Sequence, residues 1–285
     1  MIKVEVFIMT RNRPNTIMRA VDSVLHQTYK GIDIIVSDNS TNDETQLLLS
    51  NYSGKIKYLR RTPTFDSGID HLNKIHTEAT ADYYMIFHDD DEMLPEMIVK
   101  LVELIERHQD ATAVGSNAYR VYNGTPERMY FTSKEDIFID SPDKLMSLYA
   151  NDKIAPFPSY LYKNKKGLLL NKEHGGKYAD VAFLASLCIN GKIILCKEPL
   201  MNYNIHEGQD SHTCDFVQHM KLVNYLKKIC IDKANLNGIR IRYIYAYMLQ
   251  KTRVPVTSLS LKVLMKYSLF NYFFKYIIKK ELKLL

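Results

Sequence analysis

Hydrophobic residues along the chain fall into short apolar runs separated by stretches of helical spacing. Lys3 to Met9 (KVEVFIM) predicts a first strand, and Thr10 to Pro14 a polar turn, with Pro14 well placed to start a helix. Ile17, Val21, Val24 and Leu25 then recur at helical spacing through about Gln27. Ile32 to Val36 predicts a second strand ending in Ser37-Asp38-Asn39-Ser40, and Thr41 or Asn42 is placed to cap a helix from Asp43 to about Asn51. Lys55 to Arg60 is a third strand, and Gly68 to Ala79 a helix with Ile69, Leu72 and Ile75 on one face. The continuous run Tyr83 to Phe87 is a buried strand by length and composition. Pro95 opens a helix whose Met97, Leu101, Leu104 and Ile105 face inward, and Thr112 to Gly115 is a further short strand.

Strands alternating with helices predict an α/β fold, with a Rossmann-like, mostly parallel central sheet covered on both faces. After residue 117 the pattern loosens. Tyr119–Tyr122 and Arg128–Phe131 read as strands, Ser141 or Pro142 opens a helix to about Tyr149, and Pro156–Pro158 lies in a loop. Gly175-Gly176 marks a flexible loop, Asp180 starts a helix that Gly191 ends, and Lys192–Cys196 is a strand. The expected division is an N-terminal α/β subdomain over 1–117, a second subdomain over 118–212 and a helical C-terminal extension over 213–285.

Charge changes the picture of that extension. The chain carries +6, but Ile239 to Leu285 holds ten Lys or Arg against one acid, Glu281, which leaves the preceding residues net acidic. Phe270, Phe273, Phe274, Ile277 and Ile278 recur at helical spacing among Lys275, Lys279, Lys280 and Lys283. That pattern fits a helix lying on an anionic membrane surface. A terminal helix packed on the body, or in a homodimer contact, fits it equally. Cys188, Cys196, Cys214 and Cys230 have neither zinc spacing nor a paired framework, which points to reduced thiols. No signal peptide and no long apolar span is visible, so a cytoplasmic protein, peripheral on the inner face of the membrane, is expected.

The candidate chemistry sits where the Tyr83 strand runs into His88, Asp89, Asp90, Asp91 and Glu92. In open α/β sheets ligands bind beyond the carboxyl ends of the strands. Adjacent carboxylates repel, and a divalent cation offsets them; their hard oxygens suit magnesium or manganese. The alternative is an acidic loop preceding a helix N-terminus. A dinucleotide oxidoreductase is excluded because the first turn has no G-x-G-x-x-G. An aspartyl-phosphate phosphotransferase would need its nucleophile after the first strand, where Thr10 and Arg11 stand. Nucleic acid is not an expected partner, because the acidic rim repels phosphates without metal.

Three stretches together resemble family 2 glycosyltransferases of the GT-A fold: VFIMTRNRPNTIMRAVDSVLHQTYKGIDIIVSDNSTNDET (Val6–Thr45), FHDDDEMLP, and Tyr178 to Ser211 with its YNIHEGQDS run. The resemblance implies an inverting transfer of sugar from a nucleoside-diphosphate donor, UDP foremost, to a hydroxyl on a surface-glycan or lipid-linked acceptor. It implies Mn2+ or Mg2+ held by Asp91 directly, with Asp89 on the metal or on the ribose, and with His206 completing the metal site or meeting the diphosphate. It places Asp38 on the base, and Thr10, Arg11, Asn12, Asn39 and Asp90 around the same nucleotide, with Gln209 and Ser211 on phosphate oxygens. Arg13 is expected at the surface and His88 behind the ligands. Asp180 takes the place of the base on the acceptor side, with Glu173 its rival. The chain departs from the family at Asn39, at Leu72 and at Ala179. Lys74, Arg60 or Arg61 would replace the cation missing at Leu72, and a nucleotide-sugar-binding protein without turnover is the alternative function.

Overall fold

In a strand successive side chains point to opposite faces, and the first apolar run divides in this way. Val4, Val6 and Ile8 enter one buried cluster and Phe7 the other. The computed structural model describes residues 2–165, 167–206, 209 and 215–232. In chain order the N-terminal elements are β1 (Val4–Thr10), α1 (Pro14–Leu25), β2 (Ile32–Asp38), α2 (Glu44–Leu49), β3 (Lys57–Arg60), α3 (Gly68–Glu78) and β4 (Tyr83–His88). Then come β5 (Glu92–Met93), α4 (Met97–Arg107), β6 (Ala111–Tyr122), β7 (Thr125–Met129), β8 (Ile137–Ile139) and α5 (Pro142–Ala150). The described chain finishes with β9 (Leu161–Lys163), α6 (Ala179–Leu187), β10 (Lys192–Ile205) and α7 (Phe216–Ile229).

One sheet runs β3-β2-β1-β4-β9-β6-β10-β5, with β7 added to β6 and β8 to β10. The first four strands in that order are parallel, as the strand–helix alternation predicts. Beyond β4 the sheet is mixed: β9 is antiparallel to β4 and β6, while β6 and β10 are parallel. α1 and α4 cover one face and α3, α5, α6 and α7 the other, each apolar stripe feeding its own cluster. The registers Thr10↔Asp38 and Met9↔His88 bring the carboxyl ends of β1, β2 and β4 to one rim.

Two strands differ from expectation. Thr112–Gly115 and Tyr119–Tyr122 are parts of one strand, β6, which runs through 117–118 and joins both expected subdomains in one sheet. The small polar residues between them hide the continuity, and they are needed there. A Cβ on Gly115 would meet the Tyr160 ring at 2.8 Å, so only glycine lets that ring lie on the strand. Asn117 donates to the carbonyls of Phe131 and Lys197 (2.8 and 3.1 Å) where the β6–β10 register shifts around Pro199. Lys192–Cys196 likewise continues past Pro199 to Ile205. The strand expected at Arg128–Phe131 is Thr125–Met129. α2 starts after Asp43, whose own side chain makes no cap bond, while Asn42 Oδ1 accepts from the Glu44 N–H at 3.4 Å.

Cys188, Cys196 and Cys230 are buried free thiols; Cys214 lies outside the described residues. So do Ser211 and the basic aromatic segment of the C-terminal extension. Among the described residues no helix is long and apolar enough to cross a membrane.

Candidate functional site

Three consecutive aspartates leave the end of β4, and each is directed differently. Asp89 turns back toward β1: Thr10 donates to its Oδ2 at 2.6 Å and Arg13 to its Oδ1 at 3.2 Å. Burial nevertheless pushes its carboxyl up to about 6, against the lowering effect of Thr10 and Arg13. Asp90 accepts from Arg13 at 2.9 Å, with His206 Nε2 at 2.9 Å from the same Oδ2. Burial works to raise Asp90, but His88, His206 and Arg13 outweigh it and hold the carboxyl below its ordinary range. Asp91 is 1% exposed, and its Oδ1 accepts from the Asn204 N–H at 3.0 Å. Its Oδ2 is buried with no hydrogen-bond partner among the described residues, and burial together with the Asp90 charge raises the carboxyl well above its usual value.

Ligand atoms of His88, Asp90 and Asp91 lie within 4.8 Å of one another. Burial lowers the His88 pKa, which favours the neutral imidazole that binds metals, while the Asp90 charge pulls the other way. An orphaned buried carboxylate oxygen beside two more donors is costly unless a proton or a cation meets it. The residues therefore fit a divalent ion. Among the described residues the trio brought together includes His88 rather than Asp89, whose two oxygens are turned to Thr10 and Arg13; His206 reaches the trio through Asp90. Arg13, expected at the surface, instead bridges two of the aspartates from the turn after β1.

The base-side residues are also held internally. Asp38, fully buried at the end of β2, accepts from the Ser40 N–H at 2.8 Å and from the Tyr58 hydroxyl, with Arg60 3.6 Å away. Asn39 bridges Phe65: its amide donates to the Phe65 carbonyl at 3.0 Å and its oxygen accepts from the Phe65 N–H at 2.7 Å. Arg11 donates to the same carbonyl at 3.0 Å. The 61–68 loop is thus latched to the ends of β1 and β2. Asn12, at φ 54°, accepts from the Thr41 N–H at 2.8 Å, tying the two turns together. The cations expected to replace the one missing at Leu72 all stand in ion pairs, that of Arg60 at Asp38 itself. Arg61 pairs with Glu78 and donates to Ser37, Lys74 pairs with Glu78, and Arg60 reaches Asp38 and Asp43.

Asp180 stands on the first turn of α6, half-buried, with Oδ1 accepting from the Val181 N–H at 2.8 Å. Burial lifts its carboxyl to about 6. Asp180 and Asp91 both act on the Tyr130 phenol, whose pKa is raised first by burial. Glu173 is exposed and pairs with Lys221 at 3.0 Å. Gln209 donates to the Asn204 carbonyl, and its own N–H to the His206 carbonyl at 3.2 Å.

Asn204 and Arg19 were not foreseen. Asn204 also donates through its side chain to the Asp90 carbonyl at 2.8 Å, and Arg19 donates to that carbonyl at 3.1 Å and pairs with Glu92 at 3.0 Å. A signal for Asn204 exists. Asn202, Asn204 and His206 alternate with apolar or aromatic residues, and all three reach the acidic segment.

The sequence model of Glycosyl transferase family 2 matches residues 5–164. The chain belongs to that family. This family 2 chain is 24% identical over 184 residues to the GalNAc(5)-diNAcBac-PP-undecaprenol beta-1,3-glucosyltransferase of Campylobacter jejuni, and the match covers 63% of the chain but only 58% of that relative. An uncharacterized glycosyltransferase of Haemophilus influenzae is 24% identical over 261 residues, covering 85% of the chain and 80% of the relative. Among solved structures, S. aureus TarS 1-349 in complex with UDP-GlcNAc superposes with a TM-score of 0.66 at 13% identity, over 96% of this chain and 80% of that one. The mannosyltransferase PcManGT of Pyrobaculum calidifontis, in complex with GDP-Man and Mn2+, gives 0.59 at 12% identity, over 98% and 84%. At such identities the likeness shows the fold, which is the GT-A type expected for family 2.

Proposed function

We propose that the protein is an inverting glycosyltransferase that moves a sugar from a nucleoside-diphosphate donor, UDP foremost, to a hydroxyl of a surface-glycan or lipid-linked acceptor. The observation that carries it is the buried Asp91 oxygen, without a hydrogen-bond partner among the described residues, at the carboxyl rim of a GT-A sheet and within reach of Asp90 and His88. The neighbours' bound UDP-GlcNAc and GDP-Man with Mn2+ support the donor class and the metal.

Asp91, Asp90 and His88 would hold a divalent ion, with Asp89 and His206 beside it. Bound there, the ion supplies positive charge against the departing diphosphate. The chain's own groups do the rest. Arg13 and Asn204 keep the aspartates in place, so no reorganisation is needed when charge develops. Asp38 and the Asn39–Phe65 latch shape the base pocket.

On the acceptor side, Asp180 takes the hydroxyl proton as the acceptor oxygen bonds to the anomeric carbon. The bond from that carbon to the diphosphate oxygen breaks on the opposite face, and the nucleoside diphosphate leaves with the electron pair. A carboxyl with a pKa raised to about 6 is ionised at neutral pH and more basic than an ordinary aspartate.

A thermal-shift screen of UDP, GDP, CDP and TDP sugars with and without manganese, followed by assay of released nucleoside diphosphate, tests this function. A ligand of the native state raises the midpoint. A UDP-sugar that stabilises with manganese and is turned over supports it; stabilisation without turnover indicates a binding protein instead.

A further inference from the structure

The Gly175-Gly176 pair, which reads as a flexible loop in sequence, is clasped by α7. Gly176 has φ +58°, and a Cβ there would stand 2.2 Å from Gln218 Oε1, so glycine is what lets Gln218 reach the backbone. Gln218 Oε1 accepts from the Lys177 N–H at 2.6 Å, and its Nε2 donates to Asp215 Oδ2 at 2.6 Å. Asp215 caps α7 by accepting from the Gln218 N–H at 3.0 Å, and its own N–H donates to the Tyr178 hydroxyl at 3.2 Å. Beside this clasp the His174 ring stacks on Tyr225 with centroids 4.0 Å apart, and Tyr178 meets His219 edge-on at 4.8 Å. The clasped turn leads directly into α6, whose second residue is Asp180.

We infer that Gln218 is a positioning residue for transfer: it fixes the 175–178 turn and through it the aim of the Asp180 carboxylate. The inference rests on Asp180 being the acceptor-side base. Lys177 offers a backbone donor and Asp215 a carboxylate acceptor, so the residue between them must accept on one side and donate on the other. A glutamine amide in one orientation does both. A glutamate keeps the shape and the first bond but sets two carboxylates against each other at the second.

Gln218→Glu therefore disturbs the clasp, and adding Asp215→Asn restores it, because the asparagine amide donates to the new carboxylate while its oxygen still caps α7. The assay is hydrolysis of UDP-glucose, UDP-galactose and UDP-N-acetylglucosamine with manganese, water standing in for the acceptor. Gln218→Glu should lower kcat about tenfold or more with donor KM unchanged, and the double variant should recover most of the loss. Melting midpoints separate positioning from stability. Crystal structures of both variants read the Asp180 carboxylate directly, whichever donor is used: displaced in the single variant, returned in the double. An unchanged kcat, or an Asp180 that does not move in Gln218→Glu, overturns the inference. Asp180→Asn in parallel distinguishes the two levels. If Asp180→Asn leaves hydrolysis intact, the assignment of the base fails; if Asp180→Asn is inactive while Gln218→Glu is normal, only the role of Gln218 fails.

Discussion

Asp38 and Asn39 are neighbours whose side chains meet opposite demands. The carboxylate accepts from Ser40 and Tyr58, while the amide must both give to and take from the Phe65 backbone. Asn39→Asp would set a carboxylate oxygen against the Phe65 carbonyl. We expect it to cost about 1–3 kcal/mol, the usual price of an unmatched buried polar pair, read as a fall in urea midpoint. Asp180 carries a pH prediction. Its raised pKa means the protonated form, useless as a base, takes over as pH falls through about 6. Transfer kcat/KM should fall about tenfold per pH unit below that point; a profile flat down to pH 4.5 would count against Asp180. At this scale the acids were legible in the sequence, because three aspartates after an apolar strand need a reason. Arg13 was not, and Asn204 showed only as one polar position of an alternating strand. Their roles depend on which side chain crosses the rim, and a polar turn or an alternating strand does not declare its partner.

The elements of the parallel half were visible from periodicity, because each strand is a short apolar run followed by an amphipathic helix. β6 and β10 were each cut short in sequence, for the same cause. Gly115, Asn117 and Pro199 weaken strand propensity locally, and tertiary contacts override it. Gly115 exists for the Tyr160 ring, so Gly115→Ala should destabilise by about 1–3 kcal/mol through overpacking, measurable by thermal melting. β10 matters for function beyond its length. Its final residues bring Asn202 and Asn204, and then His206, against the acidic segment, so one strand from the loosely patterned half completes a site begun by β1, β2 and β4. The Gly175-Gly176 turn was misread for a related reason: glycine signals both freedom and close approach, and here the partner, Gln218, lies on a helix far along the chain.

Across the whole molecule, charge and burial oppose one another in ways that pH exposes. His71 and His76 are buried with pKa values lowered to about 4, chiefly by burial. The unfolded chain takes up protons near 6.5 that the folded chain refuses, so each histidine contributes stability that is full above 6.5 and is lost as pH falls toward 4. Asp89, Asp91 and Asp180, all raised, act in the opposite sense, and the net profile is flatter than the histidines alone would give. Replacing one group reveals its share. His76→Leu should be less damaging at pH 5 than at pH 7.5 by about 2 kcal/mol, measured by urea unfolding at both values. The parallel half was legible at this scale because strands and helices alternate through β4, and the GT-A type followed from the resemblance; in the mixed half β6 and β10 were read only in pieces, and β5, β8 and β9 are strands of two or three residues that no periodicity marks.

On the proposed function, the acidic rim binds a nucleoside diphosphate through a divalent ion that Asp91 would hold. Calorimetric titration of UDP into the protein with manganese, with EDTA, and into Asp91→Asn with manganese tests it most directly. Binding is expected in the first case, and in the other two a loss of about tenfold or more in affinity while circular dichroism stays unchanged. Equal affinity in all three would contradict it.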